Sequence, residues 1–409
     1  MARAVRNTPG RQRGIAMVVI VAGLLAILAV AGLALDASHI TYNKSRLQAV
    51  VDTTALTAAK VLDQTGSATQ ATAAANAVFQ ANIASFPELR RALGASATPV
   101  IAYSKQVSPF TAEPASTLGL HYARVSVANF AAGAGLLRLV GVQTLPVRAS
   151  AIAGPSPAVG YACNVVPIAL CGVGNGNGTL GYPADKVHAI NSGSGTTPGF
   201  YRFLQFDDTG GADAVRHNIA GGYNQCLAVG TRVPIKSGVN SGPVVSGVNS
   251  RFNQYSSNLL PARYPPDVIQ REPSPRLTYD SRTGQIRQNG NVVTLVSQLD
   301  FAHAGYVNAT RNGPYDIQPS PAGMGVFKRR VVAAPVVNCA DEVSRTVPVL
   351  GLRCLYLLQS ADQAGAEARL FVEIAPECEA GGRPGPVPPG TPGGVYIIEL
   401  YRDPASPDS

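Results

Sequence analysis

The chain has 409 residues and a formal net charge of +9, with only 14% charged side chains but 42 glycines and 31 prolines. Four of its arginines lie in the first fourteen residues. The remainder carries a mild positive surplus with no basic run interleaved by aromatics, which argues against a nucleic-acid partner. The length allows two or three domains, and the glycine and proline content predicts a loop-rich, β-heavy body.

Residues 1–14 hold Arg3, Arg6, Arg11 and Arg13 and no acid, and read as a cytoplasmic basic segment. Ile15 to Leu35 follows without a charge. At about 1.5 Å per residue such a helix spans roughly 30 Å, the thickness of a bilayer's hydrocarbon core. It predicts one transmembrane helix in contact with inner-membrane lipid. Basic residues stay on the cytoplasmic side, so the N-terminus is expected inside and residues 36–409 outside, in a bacterial periplasm. A cleaved secretory signal would have a shorter apolar region. The one small-residue cleavage site, Ala29-Val30-Ala31, lies deep inside the run. Ala22, Ala26 and Ala29 recur at spacings of four and three, which would let a second membrane helix approach closely.

The helical period continues beyond the lipid. Ile40, Leu47, Val51, Ala58 and Leu62 fall within an arc of roughly 60° at 100° per residue and form an expected stalk interface, with Arg46, Asp52, Lys60 and Asp63 away from it. Lys44 lies near its edge, where its stem could snorkel. An unbroken helix from Ile15 to Asp63 would be about 70 Å long, with Gly66-Ser67 as its stop. A second helix is expected from Ala68 to about Phe86, packing through Val78, Phe79 and Ile83, then a short turn from Pro87 through Leu93. Period-two alternation then marks strands over His121–Phe130 and Val147–Ala153. A helical stalk with a small β region is therefore expected over 36–154, closed by a linker at Gly154-Pro155-Ser156-Pro157.

Residues 155–380 are expected to form a β-rich extracytoplasmic domain. It would include a short helix over Ala212–Ala220, loop and turn over Val229–Phe252, and antiparallel strands over Gly325–Val337, Val347–Gln359 and Ala368–Ala375. Residues 381–394 read as a Pro/Gly linker, and 395–409 as a last strand and tail. The fold class is α+β. All six cysteines (Cys163, Cys171, Cys226, Cys339, Cys354 and Cys378) lie on the outer side, where an even count predicts disulfides. Fifteen pairings are open. No Cys-x-x-Cys occurs and the five histidines are scattered, so neither a metal nor a cofactor is expected.

Candidate chemistry is sparse. Gly176-Asn177-Gly178-Thr179-Leu180-Gly181 matches Gly-x-Gly-x-x-Gly, but Tyr182-Pro183 follows in place of a helix start, so a loop beside a cysteine is the better reading. No Gly-x-Ser-x-Gly occurs, and Ser194 and Ser246 read as turn residues. Asp207-Asp208 would point to opposite faces of a strand. Asp208-Thr209-Gly210 has the form of an aspartic-protease triplet but would need a second loop to pair with. No catalytic residue is assigned, and the chain is not expected to be an enzyme.

Two regions carry a resemblance. The first combines Arg13-Gly14, the apolar span, Gly32-Leu33-Ala34-Leu35-Asp36, Lys44-Ser45-Arg46-Leu47-Gln48 and Asp52-Thr53-Thr54-Ala55-Leu56-Thr57-Ala58-Ala59, with Ala149–Gly154 as its end. The second combines Gly242–Phe252, Phe371–Ile374 and Cys378. Together they resemble the TadG-like proteins of the bacterial tight-adherence (Tad/Flp) pilus machinery, the second region resembling a longer-tailed subset. The resemblance implies a membrane-anchored structural protein whose partners are other Tad/Flp assembly proteins or pilins. Pilin precursors are cut after a glycine and carry Glu five residues on. Here Gly14 is followed by Val19, which argues for a permanently anchored assembly protein. The metal-adhesion motif Asp-x-Ser-x-Ser of some relatives is broken at Asp36-Ala37-Ser38-His39-Ile40. A membrane-tethered periplasmic hydrolase and an envelope glycan-binding module are the alternatives.

Overall fold

The computed structural model describes residues 13–94, 97–133, 135–157, 159–174, 178–205, 211–221, 226–236, 241–256, 258–320, 323–364, 367–383, 394–404 and 406. Its class is α+β: a long N-terminal helix, a small α/β layer beside it, and a β-rich head with three disulfides.

Helix α1 runs unbroken over Arg13–Thr65 and stops at Gly66, whose φ of +64° suits a residue without a Cβ. Ser67 caps helix α2, Ala68–Ala84, by accepting from the Gln70 N–H, and α3 follows over Pro87–Leu93 with proline in its first turn. Helix α2 lays Ala68, Ala71, Ala75, Phe79 and Ile83 into the layer's core, whereas Val78 is only partly covered. Strands β1 (Val100–Ser104), β2 (Tyr122–Gly133) and β3 (Thr144–Pro155) form an antiparallel sheet against α1. Ala123, Val125 and Val127 of β2 and Val147, Ala149, Ala151 and Ala153 of β3 are buried with Leu47, Val51, Ala58 and Leu62 of α1. Ile40 packs at the margin of the same core. The period of two on the strands thus meets the helical stripe face to face.

The sequence expectation fails at the edges of this layer. The linker expected at 154–157 is strand as far as Pro155, because a fourth strand, Ile398–Tyr401, pairs antiparallel with β3 from Ile152 to Pro155. The single last strand expected after residue 394 is two strands: Gly394–Tyr396 pairs in parallel with Glu377–Glu379 in the head, and Ile398–Tyr401 returns to the stalk layer. The spacer expected from 381 begins as strand as well, since Gly381–Arg383 pairs with Tyr161–Cys163. Residues 384–393 lie outside the described residues. Lys60 and Asp63, expected away from the apolar stripe of α1, meet the head. Lys60 Nζ lies 2.5 Å from Glu379 Oε1, Lys328 Nζ lies 2.7 Å from Asp63 Oδ2, and Tyr396 also donates to Asp63.

The head is built on a mixed sheet in which Glu367–Ala375, Val187–Ser192, Phe200–Leu204, Ile168–Cys171, Val331–Val337 and Thr346–Leu357 pair in sequence. Cys354–Leu357 then pairs back onto Val372–Ala375, closing the six strands into a ring. The two faces alternate between separate cores. Ala333, Val337, Phe371 and Ala375 enter one, and Val332, Ala334, Val336, Leu370, Val372 and Ile374 the other. With both faces covered, near-continuous apolar strands are what the fold demands.

The region 229–252, expected to be loop and turn, holds strand Arg232–Lys236 and helix α5, Ser241–Asn249, followed by a 3₁₀ turn over Ser250–Phe252. Glycine and serine made it read as loop. Val244, Val248 and Phe252 nevertheless recur at spacings of four and are buried. Gly247 lets α5 press on α4, Ala212–Gly221, where an added Cβ would sit 2.8 Å from the Arg216 carbonyl. Packing overrides weak propensity here. Ser246, expected in a turn, therefore lies on a helix, hydrogen-bonded to Ser256. The strand expected from Gly325 starts only at Val331, because Lys328 takes a φ of +60° and Arg330 is drawn into the core.

Arg330 is wholly buried. Its guanidinium donates to the carbonyls of Ile269, Arg271, Leu357 and Leu358 and lies 4.5 Å from the Phe252 ring centroid. Asp267, also fully buried, accepts from the Arg330 and Ile269 N–H groups and the Tyr306 hydroxyl. Replacing Arg330 with Met would leave these carbonyls without donors and the carboxyl without its cation. We expect Arg330→Met to lower the stability of the head by about 3–5 kcal/mol, seen as a lower denaturation midpoint with the disulfides intact.

Candidate functional site

The features that set this chain apart from an ordinary secreted domain converge at the outer end of the apolar run. One helix among the described residues is long and apolar enough to cross a membrane. Leu24, Leu25, Ile27, Val30, Leu33 and Leu35 are each more than half exposed. A soluble domain rarely displays such a surface, and lipid is the solvent that fits it. Ala22, Ala26 and Ala29 are exposed here as well.

The covered side of α1 starts lower than the end of that run. Gly32 and Asp36, one turn apart, are both buried beneath the turn that joins β2 to β3. This turn is a 3₁₀ helix over Leu136–Val140, entered through Gly135 and left through Gly141, whose φ is +90°. The Asp36 carboxylate caps it. Oδ2 accepts from the Leu137 N–H at 2.6 Å, and Oδ1 from the N–H groups of Gly135 and Leu136 at 3.0 and 3.1 Å. Gly135 is required there, since a Cβ would collide with the carboxylate. At Gly32 an added Cβ would lie 2.8 Å from Leu136 Cδ1, so the leucine would have to shift to admit it. The bond from Leu137 chiefly, with those from Leu136 and Gly135, holds the Asp36 carboxyl below its usual range against the opposing effect of desolvation.

Above the clamp lies a cavity of about 500 Å³, lined in part by Asp36, His39, Asn43, Glu88, Arg91 and Arg138. His39 Nε2 lies 3.0 Å from Glu88 Oε2. The Asn43 side chain is buried and its Nδ2 donates to the His39 carbonyl, while its Oδ1 has no donor among the described residues. The lining thus offers acid, cation and a free amide oxygen to a polar group. Higher on α1, Gln48 Nε2 donates to the Ser150 carbonyl of β3, 3.0 Å away, and to Asp52. The helix rise from Asp36 to Gln48 is about 18 Å. The strand run from Thr144 to Ser150 is about 20 Å. The clamp and this bond therefore set one register between helix and hairpin.

The six candidate cysteines pair as Cys163–Cys226, Cys171–Cys339 and Cys354–Cys378, which brings together residues up to 168 positions apart. Cross-links over such distances limit the unfolded chain most. The second stretch singled out in the sequence also assembles. Val244, Val248 and Phe252 share a core with Val372 and Ile374.

Of the residues weighed for chemistry, Asp207, Asp208, Thr209, Gly210, Gly176 and Asn177 lie outside the described residues. Gly178 to Gly181 form turn, with Gly181 at a φ of +94°. Ser194 offers its carbonyl to Arg202. His303 is held neutral by burial, its pKa pushed down to about 4, and its ring packs on Tyr306 and Tyr356. Sequence reasoning missed the partners of Asp36. The available signal was an acid at the end of an apolar span, costly there unless satisfied, together with a glycine-flanked Leu-Leu-Arg-Leu-Val run.

Residues 14–61 match the protein family described as "Tad: Putative Flp pilus-assembly TadE/G-like". The match covers the apolar run, Asp36 and most of the buried stripe on α1, so the N-terminal segment of the chain is similar to a TadE/G-like pilus-assembly domain and contains the candidate membrane span. No curated protein and no solved structure matches the chain.

The clamp generates a pH prediction. A carboxylate whose folded pKa lies below 3.8 contributes fully above that pH, and its contribution fades as pH falls through the lower, folded value. Hydrogen exchange, normalised for intrinsic rates, should show the amides of residues 135–137 protected at neutral pH and progressively unprotected below pH 3.8. In Asp36→Ala they should be unprotected at every pH.

Proposed function

We propose that this chain is a membrane-anchored structural component of a Tad (Flp) pilus assembly machine, acting through protein contacts without catalysis. The observation that carries the reading is the match of residues 14–61 to a pilus-assembly family, laid over a helix with a lipid-exposed half and a core-forming half. In this reading residues 1–14 are cytoplasmic, 15–35 cross the inner membrane, and everything beyond is periplasmic. The arginines before the span support that orientation, and the three disulfides suit an oxidising compartment.

The division of labour follows the elements. Ala22, Ala26 and Ala29 present a small-residue face on which a helix of another pilus-machinery protein packs, since small side chains let helices approach closely in lipid. Ile40, Leu47, Val51, Ala58 and Leu62 bind the stalk layer to the same helix. The head, residues 155–380, is the docking body for the assembly or the filament. Asp63, Lys60 and Gly66 tie it to the stalk, the last by accepting from Arg311 Nε at 2.9 Å. The unit held out from the membrane is then rigid, which is what a scaffold needs.

Deleting the gene should abolish surface pili while pilin is still made, and normal piliation in the deletion strain would reject the proposal. Complementation with a chain carrying Ala22→Leu, Ala26→Leu and Ala29→Leu should restore the protein to the membrane. Its recovery of pilus-machinery proteins in pull-downs should fall by roughly tenfold or more, the loss expected if close packing contributes above about 1.4 kcal/mol.

A further inference from the structure

The uncharged run ends at Leu35, yet the protein already covers α1 below that point, at Gly32. Gly32 is buried, and what buries it is Leu136. Gly32 lies three residues inside the apolar run. At about 1.5 Å per residue it sits roughly 5 Å below the end of that run. Whatever touches Gly32 from the side must lie at the same depth. Leu33 and Leu35, its neighbours on the other faces, are 55% and 66% exposed and have only lipid to meet.

The turn itself is suited to that depth. Its sequence, Leu136-Leu137-Arg138-Leu139-Val140, holds four large apolar residues and one arginine. Leu136 is 47% exposed although it is pressed against Gly32, so about half of a leucine faces away from the protein. The backbone donors at the start of the turn, which hydrocarbon could not satisfy, are taken up by Asp36. The paired ends of β2 and β3, Phe130–Gly133 and Thr144–Val147, extend well beyond β1, which pairs only with Tyr122–Ser126. The hairpin therefore reaches down along α1 as a two-stranded ribbon with its apolar tip at the bottom. Arg138, beside Leu136, can extend its guanidinium to the phosphate level while Leu136 lies below it.

We infer that the turn Leu136–Val140 is a second membrane contact, seated in the outer boundary of the bilayer beside the span, and that its occupant is lipid. The inference rests on the reading of Ile15–Leu35 as the span. One helix alone leaves a head free to swing and rotate. A second contact to one side of α1, locked to it by Asp36, fixes how the head faces the membrane.

The chain has no tryptophan, so a single introduced one reports without a label. Three full-length variants, Leu35→Trp, Leu136→Trp and Leu118→Trp, are reconstituted in phosphatidylcholine vesicles. The phospholipid carries bromine either near the top of the acyl chain or near its end. Leu118 is 65% exposed and precedes β2, so it lies about 35 Å along that strand from the tip. The expected result is strong quenching of the Leu35→Trp and Leu136→Trp variants, for Leu136→Trp mainly by the shallow bromines, and none for Leu118→Trp. Quenching at 35 without quenching at 136 overturns the inference and leaves the span intact. Absence of quenching at both shows that the span reading fails, and the inference with it. Should Leu136→Trp disturb the turn, Gln143→Trp, exposed on its other shoulder, repeats the measurement with the same two outcomes.

Discussion

Everything in this molecule depends on one helix whose two halves carry different surfaces. The lower half of α1 presents apolar side chains on nearly every face, and the upper half presents them on one stripe only. The change occurs around Asp36, and the carboxylate is not left to meet the membrane edge alone. Three backbone amides from residues a hundred positions later satisfy it. A charge that would be costly at a lipid boundary becomes the pin that sets the register of the hairpin on the helix.

The second organising feature is the return of the chain. The strand Ile398–Tyr401 leaves the head and pairs with β3, next to the helix that began the fold. Buried Asp403 accepts from the Ser150 hydroxyl just beyond it. Stalk and head are therefore held at a polar seam, through Lys60, Asp63, Gly66 and Gln70, and by a hydrogen-bonded strand. A head attached by a linker at 154–157 would pivot; one whose far end closes the stalk sheet moves with the stalk. Inside the head, the closed ring of strands, the three disulfides and the Arg330–Asp267 network restrict motion further.

Much of this was legible in the sequence because it is local and periodic. The length of α1, its stop at Gly66, the start of α2 at Ala68 and the alternation in β2 and β3 each follow from spacings within one element. What was hidden is what needs a distant partner. Helix α5 is built from glycine, serine, proline, valine and asparagine, and it exists because Gly247 fits against α4 and Val244 finds the other core. The late start of the strand at Val331 depends on Arg330 finding carbonyls from residues 269 to 358. The pairings of the cysteines, the closing strand at 398 and the amides that meet Asp36 all belong to the same class. Pattern reveals the periodic face of an element, but not which far segment will cover it.

The central claim is that a lipid-embedded rod holds a rigid, oxidised body outside the cytoplasm. Limited proteolysis of intact spheroplasts tests it most directly, with the products probed by thiol alkylation and by an antibody to the head. Protease added from outside should remove the head while a cytosolic marker survives, and before digestion the full-length chain should stay with the membranes and bind no alkylating reagent. A chain that is protected from external protease, or that is recovered from the cytosol with alkylatable cysteines, would contradict the account.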